Sequence, residues 1–88
     1  MTREEFEEIV RKEREAQERL DRRRAEWSVQ LRDFNTAVKM ISLQIAQAVD
    51  RPLQFSEEAC AALLERYNAA RARREAHLKN PPMPEPAE

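Results

Sequence analysis

The chain contains no glycine. Phosphate-cradling loops, dinucleotide fingerprints and nucleophile elbows all depend on glycine for close backbone approach or strained turns, so those enzyme classes are excluded. Cysteine is nearly as scarce: Cys60 stands alone, which rules out an internal disulfide framework. A lone thiol fits a reducing compartment such as the cytoplasm. The first 26 residues hold no apolar run, so no secretory segment or membrane anchor is expected there. Aromatic residues are 6% of the chain and charged residues 38%, a composition poor in bulky core and rich in solvated side chains. β-branched residues show no alternating run, so no strand is expected.

Alanine, glutamate, arginine, glutamine and leucine predominate instead, and all but a few positions favour helix. With 88 residues there is room for one small domain, and a domain of this size buries only a modest share of its surface. Net charge is -1 but unevenly spread. Residues 1–18 carry four basic and seven acidic side chains, giving -3, and residues 19–33 carry five basic and three acidic, giving +2. The chain as a whole is therefore no electrostatic nucleic-acid binder; only a local belt is available for that.

Thr2 and Glu5 have the spacing of a capping box, and proline is absent before Pro52. The expected first helix runs over about 3–49, on the order of 70 Å if continuous. Its one weak place is "DFNTA", where Asn35 and Thr36 are better caps than mid-helix residues. The first half is held by charge ladders at i,i+4: Glu7–Arg11–Glu15–Arg19, Arg14–Glu18–Arg22–Glu26, and Glu8–Lys12. Its apolar residues Phe6, Ile9, Val10 and Leu20 are too sparse for a continuous core.

From Trp27 the pattern changes. Trp27, Leu31, Phe34, Val38, Ile41, Ile45 and Ala48 alternate by four and three, an unbroken heptad seam. Met40 and Leu43 add apolar surface on the opposite side, so this segment reads as buried on two sides. Residues 50–56 form the loop, and Ser56 is the N-cap of a second helix over about 57–79, with Glu57 and Glu58 in its first turn. Phe55 and Cys60 occupy the positions of a hydrophobic staple. The second helix is expected to bury Cys60, Leu63, Leu64, Tyr67, Ala70 and Leu78 on one face. Asn80 is placed to end it in the left-handed capping conformation, ahead of Pro81 and Pro82. Residues 80–88 read as a disordered, proline-rich tail.

The expected fold is thus all-α: a long N-terminal helix and a shorter antiparallel one form an α-hairpin, one domain over 1–79. A short connection makes antiparallel neighbours the default, and the charged half of the first helix projects beyond the hairpin. Two helices share only one face, so Met40 and Leu43 call for a partner layer. A homodimer supplies it as a coiled-coil-like four-helix bundle. The expected association core is Trp27, Leu31, Phe34, Val38, Met40 and Ile41 with Leu43 and Ile45, joined by Cys60, Leu63, Leu64 and Tyr67.

No catalytic, cofactor-binding or metal-binding residue is identified. His77 is the only histidine and has no second ligand at metal spacing; near a helix C-terminus it needs no function. Cys60 reads as a small buried hydrophobe rather than a nucleophile. The carboxylates interleave with arginines and form a solvated face. Trp27 is either the edge of the core or a partner anchor. Phe6, Ile9 and Val10 meet a partner, pair with each other, or are an ordinary frayed end.

Arg19, Arg22, Arg23 and Arg24, with Arg71, Arg73 and Arg74 at a similar level of the hairpin, form a candidate belt. A DNA-reading basic region is excluded, because residues 11–26 hold seven basic and five acidic side chains and no asparagine. The expected function is a non-enzymatic protein-interaction module, an adaptor, chaperone or inhibitor of a larger complex, acting as a homodimer on an unidentified protein partner. By analogy alone, such a module suits a phage or mobile element. The alternative is a nucleic-acid accessory protein using the arginine belt, or an acidic nucleic-acid mimic.

Overall fold

The computed structural model describes residues 2–84. Helix α1 spans Arg3–Asp50, a single 3-10 turn follows at Pro52–Gln54, and helix α2 spans Glu57–Leu78. No strand occurs among the described residues.

Each terminus follows from a local cause. The Thr2 hydroxyl oxygen accepts from the Glu5 N–H at 3.3 Å, and Glu4 and Glu5 lie in the first turn where the helix dipole favours negative charge. Helix α1 passes through "DFNTA" without a break. The Thr36 hydroxyl donates to the Arg32 carbonyl at 2.9 Å, the back-bond that lets threonine stay inside a helix. The helix ends at Asp50 because Pro52 disfavours helical geometry at the residue before it, and Arg51 accordingly sits at φ -130, ψ 64. Phe55 is extended, and Ser56 caps α2 by accepting from the Ala59 N–H at 3.1 Å.

The far end of α2 differs from expectation. No described residue has a positive φ, so Asn80 does not take the left-handed conformation. Lys79 stays right-handed, and the Asn80 side-chain amide donates to the Ala76 carbonyl at 2.8 Å. A side-chain donor thus serves an orphan carbonyl that the backbone N–H of a left-handed cap would otherwise serve.

The described residues fall into two compact units. One comprises residues 2–28 with 81–84, and the other Val29–Asn80. The division lies within α1 just after Trp27, inside the 1–79 span that the sequence suggests as a single domain. In the first unit Leu20, 5% exposed, is the one buried side chain, with Ala16, Trp27 and Pro82 half-buried. Exposed ion pairs populate α1 there: Arg3 with Glu7 at 3.4 Å, Lys12 with Glu8 at 3.9 Å, and Arg11 with Glu8. The Glu8–Lys12 pair is among those the charge ladders lead one to expect. Arg11, by contrast, turns to Glu8 at i−3, and Gln17 donates to Asp21 at 2.9 Å. The proline-rich tail is described only as far as Pro84; the remainder of that expectation lies outside the described residues.

In the second unit α1 and α2 pack antiparallel. As α1 advances from Phe34 to Gln44, its α2 neighbours recede from His77 to Arg66. The core is Val38, Ile41 and Ala70, with Ile45 and Tyr67 packed against it. Every seam position from Leu31 to Ala48 is buried or half-buried, as the heptad pattern requires.

Candidate association surfaces

The inner face of the second unit runs along α1 through Leu31, Phe34, Val38, Ile41, Ile45 and Ala48. On α2 it runs through Ala59, Leu63, Tyr67, Ala70, Arg74 and His77. The Phe34 and His77 rings lie 5.2 Å apart at a tilt of 56°, and the Arg71 guanidinium lies over the Tyr67 ring at 5.7 Å while pairing with Glu75.

Three residues expected on that face are not there. Cys60 is exposed, Leu64 is 56% exposed, and Leu78 is also exposed. Leu64 and Leu78 each stand one residue, about 100° of rotation, beyond the inward-facing Leu63 and His77. At the first turn Ala59 rather than Cys60 is half-buried, and Ala59 lines one groove with Phe55, Gln44 and Gln47. Arg74 and His77 take the places that apolar residues were expected to fill. Their positions are the next heptad steps after Leu63, Tyr67 and Ala70, so spacing alone could have found them. Residue type argued against them, yet an arginine stem and a histidine ring both offer apolar surface.

Met40 and Leu43 are 54% and 52% exposed. They lie in the most apolar stretch of the chain, yet α2 covers neither. On one flank of the second unit, Gln44, Gln47, Phe55, Ala59, Ala62, Leu63 and Arg66 line an open groove of ≈ 310 Å³. The Arg66 guanidinium donates to the Gln44 side-chain oxygen at 3.5 Å and links the two helices at the groove.

In the first unit Phe6, Ile9 and Val10 are exposed. The depression around Phe6 and Val10 is lined by α1 alone and so has no opposing wall. Beside it, Glu8 raises the Arg11 pKa above its ordinary value, chiefly through the side-chain hydrogen bond and then through its charge, with Glu15 adding to the effect. Arg19, Arg22 and Arg23 flank a shallow depression with Glu26, and Arg24 is exposed. Arg71 and Arg73 are exposed and Arg74 half-buried in the second unit, so the expected belt is divided between two units.

Among the described residues no three His, Cys, Asp or Glu side chains gather as a metal site, and no helix is long and apolar enough to cross a membrane. Comparison with known proteins gives no match: no family model fits the sequence, and no curated protein or solved structure matches it.

Proposed function

We propose that this chain is a non-enzymatic helical interaction module that works as a homodimer and binds a protein partner, in the manner of an adaptor, chaperone or inhibitor of a larger complex. The observation that carries the reading is the exposure of Met40 and Leu43 within the segment whose opposite face forms the core. A second copy supplies the missing layer, as a helix with apolar residues on two sides requires. The absence of any large, fully buried side chain among the described residues agrees with a core that is only half built in one copy.

Phe6, Ile9 and Val10, on a helix end of net charge -3, are the candidate contacts for the protein partner. Aromatic and aliphatic anchors rimmed by charge are the usual anatomy of such contacts. The arginines of α1 favour a nucleic-acid reading less, since Asp21 and Glu26 interleave with them and the depression they flank is shallow.

Size-exclusion chromatography with light scattering tests the dimer. The expected mass at micromolar concentration is twice the 10.4 kDa of the chain, and a stable monomer at that concentration overturns the proposal.

A further inference from the structure

We infer that the side of α1 carrying Ala16, Leu20 and Trp27 is a docking site for an extended, proline-rich, acidic segment, and that the chain's own tail from Pro81 fills it. The inference goes beyond the homodimer proposed above and does not depend on it.

The burial of Leu20 is the starting point. Phe6, Ile9 and Val10 are 57%, 47% and 52% exposed, and the depression around Phe6 and Val10 has no wall but α1. Those values are what a large apolar side chain shows on this helix when nothing lies opposite. Leu20, on the same helix, is 5% exposed, lower than Val38, Ile41 or Ala70 in the paired core. A lone helix cannot cover one of its own leucines to that degree, so another segment does. The compact unit that holds Leu20 contains, beyond α1 and the residues before it, only the tail from Pro81 onward.

The tail has the form that the site needs. Residues 81–84 adopt no helix or turn, and Pro82 is half-buried while Pro81, Met83 and Pro84 face outward. One residue in three turned inward is the pattern of a polyproline II strand lying along a surface. On α1, Ala16, Leu20 and Trp27 fall within about 40° of one another around the axis, and Leu20 lies about 10 Å from Trp27 along it. Phe34 faces His77, so the chain leaves α2 at the Val29 end of that unit and the tail starts towards Trp27. Four residues at about 3.1 Å each span the distance to Leu20. Ile9 shares that side of α1 and stays exposed, so the cover is local.

Chemistry agrees with the placement. Proline-rich segments dock on aromatic-lined apolar surfaces, and their stiffness lowers the ordering cost. Trp27 supplies the aromatic wall and Leu20 the floor. Charge is complementary as well: residues 19–28 carry four basic and two acidic side chains, whereas the tail from Asn80 carries two acidic and no basic ones. Arg23 lies between Leu20 and Trp27 on the docking side, with Arg19 and Arg24 at its edges and Glu26 beside Arg19. The arginines of this stretch thus have a ligand within the chain.

Trp27 is the only tryptophan, so its fluorescence in the full chain reports on the site. One variant carries Pro81→Ser, Pro82→Ser, Met83→Ser and Pro84→Ser, which lie outside both helices; another carries Leu20→Ala; a third carries both sets. Acrylamide quenching is the readout, with far-ultraviolet circular dichroism as the check on folding. The expected result is a quenching constant raised at least about 1.5-fold by either change and no further by the two together, because both release one contact. Ile9→Ala should leave it unchanged. If Leu20→Ala loses helix, the tail replacement decides alone. A tail replacement that leaves the quenching unchanged overturns the inference, as does a full second increment in the combined variant. Protection lost on dilution from about 100 μM to about 1 μM overturns docking within one chain and gives the tail to a second copy. A monomeric chain whose Trp27 stays protected overturns the homodimer and leaves the docking in place.

Discussion

Ile41→Ala is the sharpest test of the paired core. Ile41 is 8% exposed and packs in one cluster with Val38, Ala70, Ile45 and Tyr67. The substitution removes three carbon atoms from a nearly buried site, about 2.4 kcal/mol at roughly 0.8 kcal/mol per methylene. The cavity contribution is small, because a two-helix core is open on both flanks and its neighbours relax into the gap. A loss of about 2.5 kcal/mol is large for a paired unit of about fifty residues, whose core supplies roughly 3–5 kcal/mol. In urea, monitored by circular dichroism at 222 nm with a slope of about 1.5 kcal/mol/M, the midpoint should fall by about 1.7 M. The slope should not change. A companion variant one residue away separates core from interface. Met40→Ala should lower the midpoint by an amount that depends on protein concentration, whereas the Ile41→Ala core loss is present at every concentration. An Ile41→Ala shift below about 0.3 M refutes the assignment of Ile41 to the core.

Two further outcomes follow from local features. Ser56→Ala removes the acceptor that serves the Ala59 N–H and should cost about 1 kcal/mol, a midpoint fall of about 0.7 M on the same urea curve; an unchanged midpoint means that the cap does not hold α2. In a gel-shift assay at physiological salt, single- and double-stranded oligonucleotides should migrate unretarded. Retardation that the triple replacement Arg22→Glu, Arg23→Glu, Arg24→Glu abolishes would instead favour phosphate tracking by the arginines.

The α1 seam from Leu31 to Ala48 was legible in the sequence, because its signal is redundant; Trp27, read as its first position, lies in the other unit. Six large or small apolar residues from Leu31 to Ala48 obey one register, so no single ambiguous position could displace it. The Ser56 cap was legible for a similar reason: cap, dipole charges and the preceding proline all point to the same boundary. The end of α2 departs from the reading because several chemistries satisfy the same need there, and the weak place in α1 held as helix for the same reason. Asn80 can serve orphan carbonyls through a left-handed backbone or through its side-chain amide, and it uses the amide. Asn35 and Thr36 can end a helix or be absorbed into one, and the Thr36 back-bond absorbs them.

Helix α2 was harder to read because its apolar residues are small and spread around the axis. Cys60, Leu63 and Leu64 are all apolar within five positions, so residue type alone cannot say which one faces α1. The decision rests with residues further along. Only one direction lets Tyr67 and Ala70 meet Val38 and Ile41 while Phe34 meets the His77 ring, and that direction leaves Leu64 outside. The same rotation turns Ala59, Ala62 and Arg66 to the Gln44 side. The groove between Gln44 and Ala62 is therefore a consequence of how α2 rotates to build its own core. The groove stays open there because the helix presents Ala59 and Ala62, whose side chains are too short to reach across to Gln44 and Gln47.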